Sequence, residues 1–176
     1  MSKYGDISTV ELLENMDREQ EVFIPKWQYG LALASWAVSV IAPVIACLLP
    51  KTQIPIAIGV FVLTIAVASF TGIFTGRFPF KVGKPHYPLD WVNAAIYWLC
   101  IPVFAVAFFI TVTSGGLPRV TETGYALMNG SKLIRELDET AYRFYSAARG
   151  AMLTILTFFN CIQLAYVRKQ RENQVD

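Results

Sequence analysis

Histidine is almost missing from this chain of 176 residues: His86 is the only one. A haem held between two histidines is therefore excluded, and His86, between Pro85 and Tyr87 in a loop, reads as an interfacial residue. Cysteine is scarce too. Cys47, Cys100 and Cys161 each sit inside an apolar run, with no CxxC or Cys/His spacing that zinc would need. They read as small packing residues, with S-palmitoylation of Cys161 as a minor alternative and a disulfide between spans disfavoured. No P-loop, HExxH, Ser/His/Asp set or paired-carboxylate motif occurs in the water-facing segments. No catalytic residue, cofactor or metal ligand is assigned, and no enzyme activity is expected. A net charge of +2 without a basic stripe gives no reason to expect nucleic acid.

Charge is the most telling shortage. Only 16% of residues are charged, against roughly 25% in an ordinary soluble domain. The deficit is concentrated in four windows, at about 27–49, 54–75, 90–113 and 150–167, each near the roughly 20 residues that a helix needs to cross a bilayer. With 55% hydrophobic residues and a mean hydropathy of +0.45, the pattern predicts an all-α, four-helix transmembrane bundle. Pro43 falls inside the first span and should kink it or be satisfied by a neighbour.

The polar segments divide the rest. Residues 1–26 form an acidic leader in which Ser8 and Glu11 fit a capping box; the first span would serve as an uncleaved signal anchor. The leader reads as a solvated segment, with docking of a cytosolic partner as the alternative. Residues 76–88 are basic, aromatic and rich in proline. Residues 114–149 form the long second outer loop. Ser131 as a cap, with Ile134, Leu137, Ala141 and Ala148 at helical spacing, predicts an amphipathic helix running straight into the last span. Residues 171–176 are a short polar tail. Arg77, Lys81 and Lys84 between the second and third spans, against Lys51 alone between the first two, place both termini in the cytosol. The long loop then faces the lumen or the exterior, and Asn129-Gly130-Ser131 within it is a glycosylation sequon.

Several residues inside the spans invite a site. Ala68, Gly72 and Gly76 make a small-residue ridge for close helix packing. Asp90 opens the third span after Pro88-Leu89 and is placed to cap that helix, although a membrane-edge carboxylate also invites a proton or ion role. Asn93 lies one turn on. Asn160 and Gln163 share a face of the last span and must find interhelical partners in lipid. A substrate path is the alternative, but neither repeated halves nor a charged midplane residue accompanies it.

Three stretches carry a family resemblance: IPIAIGVFVLTIAVASFTGIF, LDWVNAAIYWLCIPVFAVAFF and YSAARGAMLTILTFFNCIQLAYVRKQRE. With the loop layout, they make residues 27–170 resemble MARVEL-domain proteins of the small fungal type, Asp90 and Trp98 matching positions in that family's third span. Many relatives carry a cysteine in the second outer loop and this chain has none there, so an outer-loop disulfide is not carried over. The resemblance implies a non-enzymatic tetraspan of the plasma membrane or endomembranes that organises membrane domains or supports vesicle trafficking. Its partners would be the lipid bilayer, further copies of itself and other membrane proteins. Two other readings stand beside it: an accessory small subunit of a larger transporter or respiratory complex, and a small transporter in which Asp90, Asn93, Asn160 and Gln163 face one cavity.

Overall fold

A computed structural model describes residues 25–70, 88–122 and 124–172. The ridge positions Gly72 and Gly76, the loop carrying His86 and the acidic leader lie outside the described residues. Helix α1 spans Lys26–Leu48. A 3₁₀ turn, Pro50–Thr52, leads directly into α2, Gln53–Phe70. Helix α3 spans Pro88–Thr113. A three-stranded sheet follows, then α4, Glu139–Ala151, and α5, Thr154–Glu172. Among the described residues, four stretches are long and apolar enough to cross a membrane, the last of them being α4 and α5 together over Glu139–Arg171. This fits an integral membrane protein.

Helix α5 is the hub of the bundle, packing on α1, α2 and α3. The buried positions of α1 are Ala32, Ser35, Ser39, Ala42, Pro43 and Ala46. Apart from Pro43, they recur at alternating steps of three and four, so one face of α1 is a seam of small side chains. Without bulky side chains between them, two helices approach closely and gain dispersion contacts that lipid cannot supply better. The approach is tightest at the top of α4. A Cβ added at Gly150 would lie 2.7 Å from the Ala46 carbonyl carbon and from the Cys47 amide nitrogen. Beside it, the Gln53 amide donates to the carbonyls of Ala46 at 3.0 Å and Ser146 at 2.7 Å, tying the start of α2 to α1 and α4.

Helix α3 is attached by a much narrower strip. Only Asn93, Cys100 and Ala107 are buried on it, one residue in every seven. Much of the rest of its circumference, including Trp91, Trp98, Leu99, Val106, Phe109 and Val112, is exposed and apolar.

The long loop corrects the helical expectation. Its first part is an antiparallel meander of β1 (Leu117–Thr121), β2 (Gly124–Asn129) and β3 (Lys132–Leu137), in that spatial order. Ser131 sits in the β2–β3 turn and caps nothing helical. Gly130 adopts φ 62°, and among the described residues no non-glycine residue has positive φ, so Gly130-Ser131 makes a two-residue hairpin turn with glycine first. Leu127 pairs with Arg135 and Met128 with Leu133, leaving Ile134 as an extra, bulged residue. That bulge interrupts the two-residue alternation and lets Ile134 and Leu137 mimic helical spacing. The amphipathic helix does exist, but it begins at Glu139. Asp138 is its N-cap, its carboxylate accepting from the Ala141 amide at 2.6 Å.

The sheet docks on α4 through side chains. The Tyr125 and Tyr142 rings stack with centroids 4.5 Å apart, and Arg135 donates to the Tyr145 hydroxyl at 3.0 Å. Helices α4 and α5 are joined by a tight turn. The amides of Met152 and Leu153 bond back three residues, to Arg149 and Gly150, and those of Ile155 and Leu156 do the same.

The Gly150 contact is directly testable. Gly150→Ala drives a methyl group into α1 backbone and should cost about 1–3 kcal/mol. Gly59→Ala, where an added Cβ meets nothing within 4 Å, should be neutral or slightly stabilising. Thermal unfolding of the two variants in one detergent compares them; equal melting temperatures would rule out a close α1–α4 crossing.

Candidate functional site

The buried polar groups converge on the middle of α5. Asn160 is 1% exposed and its amide makes three hydrogen bonds. Its Oδ1 accepts from Ser35 Oγ of α1 at 2.6 Å. Its Nδ2 donates to Thr64 Oγ1 of α2 at 2.8 Å and to the Leu156 carbonyl at 2.9 Å. Thr64 Oγ1 in turn donates to the Val60 carbonyl at 2.7 Å. A continuous chain of donors and acceptors thus crosses three helices, each bond polarising the next in a low-dielectric interior.

Neighbouring residues extend the network. Gln163 Nε2 donates to the Thr64 carbonyl at 3.2 Å. One turn before Asn160, Thr157 Oγ1 donates to the Ser39 carbonyl at 2.5 Å, and Ser39 bonds back to the Trp36 carbonyl. On the other side of α5, Asn93 Nδ2 reaches the Cys161 carbonyl at 3.1 Å, which fastens α3 to the hub. Three buried atoms have no hydrogen-bond partner among the described residues: Trp36 Nε1, Asn93 Oδ1 and Gln163 Oε1.

The structure therefore sets Asn160 and Gln163 of α5 against α1 and α2, and Asn93 of α3 against α5, while Asp90, one turn before Asn93, turns to Arg168 instead. Asp90 lies in the first turn of α3, inside the helix rather than ahead of it, and its carboxylate meets Arg168 Nη1 at 2.5 Å. The pair is partly buried and closes the end of the bundle where α3 starts and α5 finishes. Ala68 is buried on α2. Asn129 ends β2 on the exposed hairpin, and Trp98 is 69% exposed on the outer face of α3. Cys100 and Cys161 are buried, Cys47 is partly so, and all three are free thiols. Cys47 donates to the Ala147 carbonyl at 3.2 Å.

Ser35, Ser39, Thr64 and Thr157 belong to this network and are not prominent in the sequence, because serine and threonine are common in membrane helices. Their spacing is the available signal: Ser35 and Ser39 fall in step with Ala32, Ala42 and Ala46.

Two clefts lie away from the network. One, of about 200 Å³, is lined by Cys100, Ile101, Phe104, Ala105, Ile155 and Phe158 and is wholly apolar in character. The other, of about 360 Å³, lies on the sheet beside Tyr125, Met128, Leu133 and Glu136. Among the described residues no group of three or more histidine, cysteine or acidic side chains is placed to hold a metal ion. Neither the family models, the curated proteins nor the solved structures contain a match to this chain.

The Ser35–Asn160 bond should be measurable by a double-mutant cycle. Asn160→Ala alone should destabilise by about 1–3 kcal/mol, because it removes a fully bonded buried amide. The coupling of Asn160→Ala with Ser35→Ala should fall at about 0.6–2 kcal/mol. Detergent unfolding of the four proteins measures both, and strictly additive effects would mean that the bond contributes nothing.

Proposed function

We propose that this chain is a non-enzymatic four-span membrane protein that organises membrane domains or supports vesicle trafficking, in the manner of the MARVEL-domain proteins it resembles. One observation carries the reading. Asn160, Asn93 and Gln163 each donate to a different helix or carbonyl, and Asp90 is spent on Arg168 at the bundle's end. Polar side chains used this way hold helices together. A transporter would line them along one path instead, so the transport reading loses its support.

In this proposal both termini are cytosolic, and the sheet and Asn129 face the lumen or the exterior. The cytosolic leader recruits a soluble partner, while the spans contact lipid, further copies of the chain or other membrane proteins. A second reading, an accessory small subunit of a larger membrane complex, draws on α3. A helix buried at only three positions, with exposed Trp91, Trp98 and Phe109, has room for a partner helix.

Removing residues 1–24 should leave membrane insertion intact and disperse the protein from its normal membrane domains. An unchanged distribution by fluorescence microscopy of the tagged truncation would remove the leader's recruiting role. Orientation has its own test. In a eukaryotic secretory pathway, endoglycosidase should shift the wild-type band and leave Asn129→Gln unshifted. Accessibility of the hairpin only from the cytosolic side would reverse the proposed topology.

A further inference from the structure

The end of the bundle where α1 begins and α5 finishes carries a built cluster of cations and aromatic rings. The Arg171 guanidinium lies over the Tyr29 ring, 5.0 Å from its centroid. Lys26, three residues before Tyr29, shares its face of α1 and is exposed. Trp27 is 57% exposed and meets Phe70 of α2 edge-on, with centroids 5.8 Å apart. Arg168, about one turn earlier on α5, is engaged with Asp90. Among the described residues no carboxylate pairs with Lys26 or Arg171.

The position of this cluster decides what can fill it. Lys26 and Trp27 open a membrane-length helix and Arg171 closes another, so both cations lie at headgroup level. Leu164 and Val167, with Ala32 and Val67, close an apolar core just beneath. An occupant suited to this end carries negative charge at the level of Lys26 and Arg171 and hydrocarbon beside the exposed Trp27 and Phe70. Arginine offers a planar fork of donors suited to phosphate oxygens, and lysine adds a point charge. The exposed indole of Trp27 suits the first carbons of an acyl chain.

We propose that the α1–α5 seam at this end binds an anionic phospholipid, with Lys26 and Arg171 sharing the phosphate oxygens and Tyr29 holding Arg171 in position. The proposal rests on the membrane reading of the helices and is independent of the organising role.

Lys169 supplies the control. It belongs to the same end of α5 and is exposed, but it follows the fully buried Val167 by two residues and so projects from the far side of the helix. The full chain, purified in neutral detergent, would be titrated with phosphatidylglycerol and with phosphatidylcholine, and bound lipid counted by native mass spectrometry. Phosphatidylglycerol should be retained preferentially, and millimolar inorganic phosphate should not displace it. Lys26→Gln and Arg171→Gln should each weaken retention about fivefold, as expected for one basic side chain at a membrane surface. Lys169→Gln should change it less than twofold. Arg171→Lys, which keeps the charge, should bind better than Arg171→Gln, provided that both variants melt like the wild type. Equal losses for all three glutamine variants would mean diffuse attraction to basic charge and overturn the site. So would equal retention of the two lipids.

Discussion

The Asn160 amide holds two helices to a third with one side chain. In water such a group would gain little, since solvent satisfies it equally well. Inside a bundle bathed in hydrocarbon, its oxygen and both its hydrogens must be matched by protein. Ser35, Thr64 and the Leu156 carbonyl supply that match. The geometry works only if α1 and α2 present hydroxyls at the same level, which fixes the vertical register of three helices together. Apolar packing alone allows helices to slide; a saturated hydrogen-bond chain does not.

Small residues make that chain reachable. A serine hydroxyl is short, so Ser35 can bond Asn160 directly only where the helix backbones come close. The Ala32–Ala46 seam of α1 and the bare Gly150 allow this approach. At the far end, Asp90 and Arg168 perform the same task for α3 with charge instead of an amide. Helix α3 is thus held at its start by an ion pair and a turn later by Asn93, while most of its surface faces outward.

The four long apolar helices were legible because charge is absent from whole windows, a signal that survives any detail of packing. The sheet was not. Its strands are short, and Ile134 bulges out of register, so hydrophobic positions 134, 137, 141 and 148 satisfy a helical template by coincidence. The clue was present in Asn129-Gly130-Ser131, where glycine opens a tight hairpin turn, but the same tripeptide also reads as a sequon. Asn93, Asn160 and Gln163 stand out in a sequence because amides are rare in apolar runs. Their partners do not stand out. Carbonyl oxygens of Thr64 and Cys161 carry no residue signature, and the hydroxyls of Ser35 and Thr64 blend into ordinary membrane-helix composition. The Asp90–Arg168 pair joins residues far apart in sequence, so spacing alone offers no hint of it.

The nearly unbroken run from α4 into α5 has a mechanical consequence. Its 33 residues reach at most about 50 Å at helical rise, against a hydrocarbon core of about 30 Å. The sheet is clamped to the α4 end of this run by Tyr142 and Tyr145, so any length beyond the bilayer at that end carries the sheet with it. Helices answer a change in bilayer thickness by tilting, and a tilt of about 10° displaces the end of such a run by at most about a nanometre. A sheet clamped to that end would swing sideways with the tilt, farther than any residue held within the bilayer.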